Sequence, residues 1–411
     1  MICPPTMVAF LLAGALEPTP PPPDVVDLAT VLKLAREASP RLALERQGIA
    51  AAIAERRTAG ALPNPTLSYG LQHQPGEITN FSSRTAQSVS IDLPLLVAGQ
   101  RGARVEAADQ GVAAARARVA ASGNGLAADA GAAFVQLLAA QKKLGLLGEG
   151  MEELDHIRDV VAGRQASGMA SPYDLLRIDV EVASWRTRIA EAEAELAERR
   201  GKLAVLLGFI GWRPRPTGEL RPLDVDAGAP AGAEHPAIAT ARREEAMAQA
   251  STVVAERERF PGVSLSGGMF WTSDPFGATY SLGVAVELPI LDSRGGALDR
   301  ARAEADAASL RRRLVEAEIE ADVALYAVQV AQRASALQHF QRQVEPRLSG
   351  LRQMAEDAYR LGRSSIIELL DALRTRHETQ TGHLELVAGL VEAQLRLRAA
   401  RGEFAARSNG S

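Results

Sequence analysis

The sequence predicts a mainly α-helical chain with a membrane β part of four strands, arranged as an internal two-fold repeat. Three observations predict it. Ala, Leu, Arg and Glu run through a chain of 411 residues of which only 4% are aromatic, the composition of long, closely packed helices rather than of an aromatic core. Two stretches, SVSIDLPLL from Ser88 and GVAVELPIL from Gly283, alternate apolar with small or acidic residues and end on the same acid-Leu-Pro. The residues around them recur at an offset near 195, too long a period for a solenoid and therefore a duplication.

The N-terminus reads MICPPTMVAFLLAGALEPTPPPPD. Its apolar run from Met7 to Leu16 has the length of a signal-peptide core and is too short for a membrane-spanning helix, which needs about 20 residues. Export is expected, with residues 1–23 forming a signal peptide and a stiff Pro-rich spacer. A lipid anchor is not expected, because Ala15 stands where a lipoprotein cleavage site needs Cys. Cys3 is the single cysteine, so the mature chain has neither a structural disulfide nor thiol chemistry. The net charge of −4 gives no footprint for nucleic acid.

From residue 28 the order is helix, strand, strand, long helix, shorter helix, and then the same again. Thr66–Leu71 matches Ser264–Met269, Asp92-Leu93-Pro94 matches Glu287-Leu288-Pro289, and Arg101-Gly102 matches Arg294-Gly295. Gly168 with Asp174 likewise falls against Gly362 with Glu368. The first repeat spans 24–215, a linker 216–234, the second repeat 235–403, and a tail 404–411.

Strands are expected at 64–73, 87–96, 262–271 and 279–289. Val89, Ile91 and Leu93 point one way and Ser88, Ser90 and Asp92 the other; Tyr280, Leu282, Val284, Val286 and Leu288 oppose Ser281, Gly283, Ala285 and Glu287. Each strand is about ten residues, enough to cross a bilayer at a tilt, with apolar side chains toward lipid and Asp92 and Glu287 toward a lumen. Tyr69, Phe270, Trp271, Phe276 and Tyr280 suit the membrane interfaces. A small soluble sheet packed on helices fits the same alternation. Four strands leave open edges, so the membrane reading requires several protomers to share one barrel.

Helical runs extend over 99–166 and 296–361, interrupted only by Pro346 in the second. Ser122-Gly123-Asn124-Gly125 predicts a bend or break in the first, since each Gly costs about 1 kcal/mol relative to Ala. Returning helices at 172–207 and 365–401 make each half a hairpin that turns at Gly168 or Gly362.

This arrangement, with LPNPTLSYG and LPLLVAGQRGAR in the first half, resembles the TolC family of bacterial outer-membrane efflux proteins, most closely its CzcC-like heavy-metal branch. The resemblance covers residues 28–402. It implies a homotrimer in the bacterial outer membrane, three chains giving four strands each to a 12-stranded β-barrel that continues as a periplasmic α-helical barrel of long hairpins. It also implies a passive exit duct for heavy-metal cations, coupled to a periplasmic adaptor protein and an inner-membrane pump of the RND type, and embedded in outer-membrane lipid.

The same resemblance places function at the hairpin turns. Glu368 and Asp371 lie three residues apart on one helix face and become stacked carboxylate rings in a trimer, a selectivity filter for cations. Tyr359 and Arg363 are the expected gate residues of the tip, with Asp174 as their natural partner. Gly168, Met169, Leu361 and Gly362 are expected to contact the adaptor. No cofactor is expected. The six histidines have no metal-ligand spacing, and no phosphate loop, nucleophile elbow or catalytic acid pair suggests an enzyme. Two other classes share parts of this pattern: a periplasmic adaptor, which has one hairpin and no duplicated bilayer-length strands, and a soluble coiled-coil scaffold.

Overall fold

The computed structural model describes residues 22–73, 85–225, 234–272 and 277–405. The expected signal peptide, Phe276, linker residues 226–233 and tail residues 406–411 lie outside the described residues.

Strand alternation sets the sheet. Strands β2 (Thr66–His73), β3 (Thr85–Leu95), β5 (Gly262–Trp271) and β6 (Ala278–Glu287) form one antiparallel sheet in the order β2-β3-β5-β6. The register aligns Tyr69, Val89, Met269 and Tyr280 in one row and Leu67, Ile91, Gly267 and Leu282 in another. Directly paired residues share a face, so one face is largely apolar, with Gln87, His73 and Thr85 as its polar members at the end away from the helices. The other carries Ser68, Ser88, Ser90, Ser266, Ser281 and the glycines between them. Those glycines leave room for the serines: a Cβ on Gly70 would sit 2.7 Å from Ser88 Oγ, and one on Gly283 would sit 2.9 Å from Ser266 Oγ. The soluble alternative required helices over the apolar face. Instead Tyr280 and Leu282 are 78% and 82% exposed, and Leu67, Tyr69, Leu71 and Val284 are exposed with them.

A second, two-stranded sheet is parallel: β1 (Val25–Val26) pairs with β4 (Arg215–Pro216). Trp212 Nε1 donates to Pro23 O at 3.0 Å, tying the described N-terminus to the end of the first half.

Helices α1 (Leu28–Glu37), α2 (Pro40–Ala59), α3 (Gln100–Ala166) and α4 (Pro172–Leu207) belong to the first half, and α5 (Pro236–Glu258), α6 (Gly295–Gln343), α7 (Glu345–Arg360) and α8 (Ile366–Ala400) to the second. No described helix is long and apolar enough to cross a membrane. The chain divides into two compact units, each drawn from both halves. One takes in the described residues up to Pro40, Asp129–Leu220 and Leu348–Glu385; the other takes in Arg41–Ala128, Arg221–Arg347 and the residues from Leu386 onward.

A break at 122–125 is absent. Helix α3 runs through these residues unbroken, because tertiary packing outweighs the propensity cost. Gly123 lets the backbone lie against Leu42, whose Cδ atoms would be 3.8 Å from an added Cβ. Asn124 is buried, its amide donating to Ala399 O at 2.9 Å and its carbonyl accepting from Phe404 N at 3.2 Å. The interruption falls in the second half instead, at Val344 between α6 and α7. Pro346 has no N–H to continue the ladder and sits in the first turn of α7, where none is needed.

In the unit that carries the hairpin turns, Trp185 is 2% exposed, donates its indole N–H to Leu147 O at 2.8 Å, and meets His377 edge-on at 4.7 Å between ring centres. Burial, and then the nearby Arg188 charge, push the His377 imidazole below its ordinary pKa. Only glycine fits at position 150, where a Cβ would lie 2.5 Å from the indole.

Replacing Asn124 with Ala leaves the Phe404 N–H without its partner in a buried place, while the Ala399 carbonyl keeps Gly402 N at 2.8 Å and His235 Nε2 at 3.1 Å. Unsatisfied groups of this kind cost about 1–3 kcal/mol each. Denaturant unfolding of the detergent-solubilised protein should show a loss of about 1–3 kcal/mol, and an unchanged midpoint would mean Asn124 is only a spacer.

Candidate functional site

The two hairpin turns are built alike, from backbone chemistry upward. At the end of α3, Gly168 N donates to Gln165 O at 3.0 Å and Met169 N to Arg164 O at 2.8 Å; at the end of α7, Gly362 N donates to Tyr359 O at 3.0 Å and Arg363 N to Ala358 O at 2.8 Å. Both are Schellman turns, with Gly168 at φ +73° and Gly362 at φ +69° in the left-handed conformation that glycine adopts without strain.

The helices that leave these turns start alike too. Ser171 Oγ accepts from Asp174 N while Asp174 Oδ2 accepts from Ser171 N, both at 3.2 Å. Ser365 Oγ accepts from Glu368 N at 3.3 Å, and Glu368 Oε2 accepts from Ser365 N at 3.2 Å. These are capping boxes, so two acids read from the sequence as gate and filter also start α4 and α8. The spacing S-x-x-D and S-x-x-E was visible in the sequence as a helix-start signal.

Tyr359 is 4% exposed, inside a cluster with Ile157, Val161, Ile178, Ile366 and Leu369. Its hydroxyl is buried and has no hydrogen-bond partner. Burial first, and the Asp174 charge second, raise its pKa. The structure does not join Tyr359 to Asp174 by a hydrogen bond, because the Asp174 carboxylate is turned to its own helix start. Arg363 is exposed, and only its backbone is engaged, so it is not joined to Asp174 either. Glu368 and Asp371 are both exposed on α8, as are Gly168, Met169, Leu361 and Gly362 around the turns. Asp92 and Glu287 lie on the polar face of the sheet, in rows with Ser266 and Gly262 respectively.

The residue that holds the tip together within the chain is one that sequence reasoning missed. Arg164 Nη1 donates to Tyr359 O at 3.0 Å and to Arg360 O at 2.6 Å, Nη2 donates to Met169 O at 3.3 Å, and the guanidinium lies 5.0 Å over the Tyr359 ring. One side chain thus satisfies terminal carbonyls of both turns, where a cation is also favoured by the helix dipole. A basic residue in the last turn before Gly168 was the available signal. Farther along the hairpins, Glu181, 1% exposed, takes both forks of Arg374, one at 2.9 Å, and Glu153 takes Arg376 at 2.5 and 2.7 Å. These pairs tie α8 to α4 and to α3.

Residues 31–209 and 230–403 match the family model of outer membrane efflux proteins. The chain belongs to the outer membrane efflux protein family. It is 26% identical over 356 residues to the cobalt-zinc-cadmium resistance protein CzcC of Cupriavidus metallidurans, covering 82% of this chain and 80% of that one. It is 27% identical over 372 residues to nodulation protein T of Rhizobium leguminosarum bv. trifolii, covering 82% and 77%. Its fold is that of the CmeC outer membrane channel of Campylobacter jejuni, with a TM-score of 0.79 over 93% of this chain and 87% of that one at 16% identity. As a member of this family the protein is an outer-membrane efflux channel, which sets aside the adaptor and scaffold classes. Among the described residues of this efflux protein no His, Cys, Asp or Glu cluster could hold a metal ion.

Replacing Arg164 with Leu removes the carbonyl contacts and the ring contact together. Hydrogen–deuterium exchange should then rise at least about tenfold at residues 165–170 and 356–363, since one charge-assisted bond contributes about 1.5–3 kcal/mol, with no change in the sheet. Arg164→Lys should recover only part, because an ammonium cannot fork across two turns. Equal exchange in wild type and Arg164→Leu would remove the clamp role.

Proposed function

We propose that three copies of this outer-membrane channel close one 12-stranded barrel, continue it as a periplasmic helical tunnel, and form the passive exit duct of a tripartite efflux system. One observation carries the reading: a four-stranded sheet of bilayer length whose apolar face is exposed and whose edge strands, β2 and β6, have no strand on their outer sides among the described residues. Lipid accepts neither an open edge nor an unbonded N–H. Pairing β6 of one chain with β2 of the next, three times over, removes every edge and leaves the apolar face on the outside. The serine and glycine face, with Asp92 and Glu287, then lines the lumen.

The tip carries the coupling and the selectivity. Exposed Met169 and Leu361 flank the turn glycines 168 and 362 as an apolar surface for the helical hairpin of a periplasmic adaptor, which in turn engages an RND-type inner-membrane pump. Glu368 and Asp371 from three chains form two carboxylate rings at the narrowest point, with Tyr359, Arg363 and Asp174 close by. Like charges about 4 Å apart interact by about 4 kcal/mol at an effective dielectric of 20, so the rings draw in cations and hold multivalent ones. Heavy-metal cations are the cargo this favours, in keeping with the similarity to a cobalt-zinc-cadmium resistance protein.

Light scattering of the purified protein in detergent should give the mass of three chains. A monodisperse folded monomer would remove the shared barrel.

Glu368→Gln with Asp371→Asn should lower cation over anion selectivity in planar bilayers, measured as the reversal potential, and abolish block by a trivalent cation such as hexamminecobalt. The amides keep an oxygen for the Ser365 cap, so trimer assembly should be unaffected. Unchanged block would move the filter away from α8.

A further inference from the structure

All four strands meet helices at one end of the sheet, and the segments that join them there carry arginine: Arg101 after β3, Arg259 before β5, Arg294 after β6. Most arginines of this chain that make ion pairs do so with carboxylates, as Arg56 does with Asp109, Arg118 with Glu244 and Arg312 with Glu245. These three do not. Arg101 Nε donates to Gly60 O at 2.7 Å, Arg259 Nε to Ser293 O at 3.3 Å, and Arg294 Nη1 to Glu258 O at 2.8 Å. The last two form a reciprocal clasp, each guanidinium on the carbonyl of the residue that precedes the other. A carbonyl fixes a guanidinium without neutralising it, so each keeps its full charge and N–H groups to offer.

The acids nearby are largely committed. The Glu258 carboxylate takes Arg104 at 2.8 Å, and Asp292 Oδ1 accepts from the backbone N–H of Arg294 at 2.8 Å. Glu287 belongs to the polar face of the sheet. Among the arginines stand apolar side chains without cover: Val97, Phe260, Ile290 at 79% and Leu291 at 102% exposure. A cleft of about 400 Å³ opens here, with Leu95, Phe260, Val263 and Val286 on its apolar walls, Arg104 and Arg294 among its lining, and Glu258 and Glu287 lining it as well, the former held by Arg104. Leu95, Val263 and Val286 belong to the last row of the apolar sheet face, and Ser264, Ala285 and Glu287 to the other face, so the cleft lies at the end of the sheet and reaches the apolar face there.

Fixed cations interleaved with bare apolar side chains, at the helical end of an apolar sheet, match one partner chemistry. We propose that this belt binds anionic phospholipid of the inner leaflet of the outer membrane, Arg259 and Arg294 taking the headgroup phosphate, Arg101 a second one, and Phe260, Ile290 and Leu291 the upper acyl chain. Guanidinium forks suit phosphate, and long cationic side chains at a membrane boundary place their charge at headgroup level. The proposal rests on the reading of the sheet as lipid-facing. It adds that the channel's depth and hold in the membrane depend on headgroup charge.

The test uses the full-length protein. Native mass spectrometry from detergent with added phosphatidylglycerol, phosphatidylcholine or inorganic phosphate should show retained phosphatidylglycerol only, with affinity about tenfold or more above phosphatidylcholine. Arg259→Gln with Arg294→Gln should abolish that preference, and Arg101→Gln alone should lower the number of lipids retained. Equal retention of the two lipids by the wild type overturns the proposal without need of any variant, as does an undiminished preference in the double variant; binding of free phosphate alone would also overturn it. Flotation with phosphatidylcholine vesicles separates the two readings: a wild type that fails to insert defeats the barrel, whereas one that inserts without lipid preference defeats only this site.

Discussion

A hydrogen-bonded strand cannot end its ladder in hydrocarbon, and the rest of this molecule follows from that constraint. Among the described residues, the sheet of one chain has an exposed apolar face and two edges with no further strand beside them. In water such a sheet would aggregate; in lipid it would strand its outer N–H and C=O groups. Closure with copies of itself, as proposed above, suits both face and edges. The glycines of the other face follow from the ladder itself: a Cβ on Gly70, Gly268 or Gly283 would come within about 3 Å of serine or backbone atoms of the neighbouring strand.

Duplication supplies the geometry, and its imperfections supply the fastening. Each half contributes a hairpin with the same turn, a left-handed glycine followed by a Ser capping box. Two identical turns have no reason to hold each other. Arg164 breaks the symmetry: Ala358 stands at the matching place in the second half, and the one arginine reaches carbonyls of both turns. Glu181 with Arg374 and Glu153 with Arg376 do the same farther along the hairpins. Glu181 is buried and the other three members are partly exposed; such pairs add little net stability but leave a poorly solvated charge if broken, so they fix which helix faces which.

What could be read in the sequence was what depends on neighbours along the chain. The strands came within about two residues because alternation has a period of two that no helix imitates, and Gly168 and Gly362 were legible because a helix ends where only glycine turns left-handed. No break falls at Gly123-Asn124-Gly125: propensity speaks for an isolated helix, while here Leu42, Ala399 and Phe404 close on the small side chains. Pro346 was the stronger breaker, since a missing N–H is not restored by packing. Arg164 was invisible as a clamp because its partners are carbonyls, which carry no sequence, some 195 residues away. Glu368 and Asp174 were recognised as important acids, but their cap role was overlooked though the serines three residues before them announced it.

The tip geometry also bears on how such a duct would open. Parting the two hairpins of one chain would expose Tyr359, Leu369 and Leu370, all buried against the first hairpin, and would strip Arg164 from its carbonyls. Uncovering three large side chains costs about 1.5–3 kcal/mol each before any hydrogen bond is counted. Moving the pair of hairpins as one body against a neighbouring chain disturbs none of this. It shifts Arg363, Glu368, Asp371 and Leu361, which in the single chain already face water. In a trimer the easier motion is therefore between chains, and the residues that set its threshold are the exposed ones on α8 and its turn. Arg164 then acts on opening only indirectly, by keeping each pair rigid enough to move as a unit.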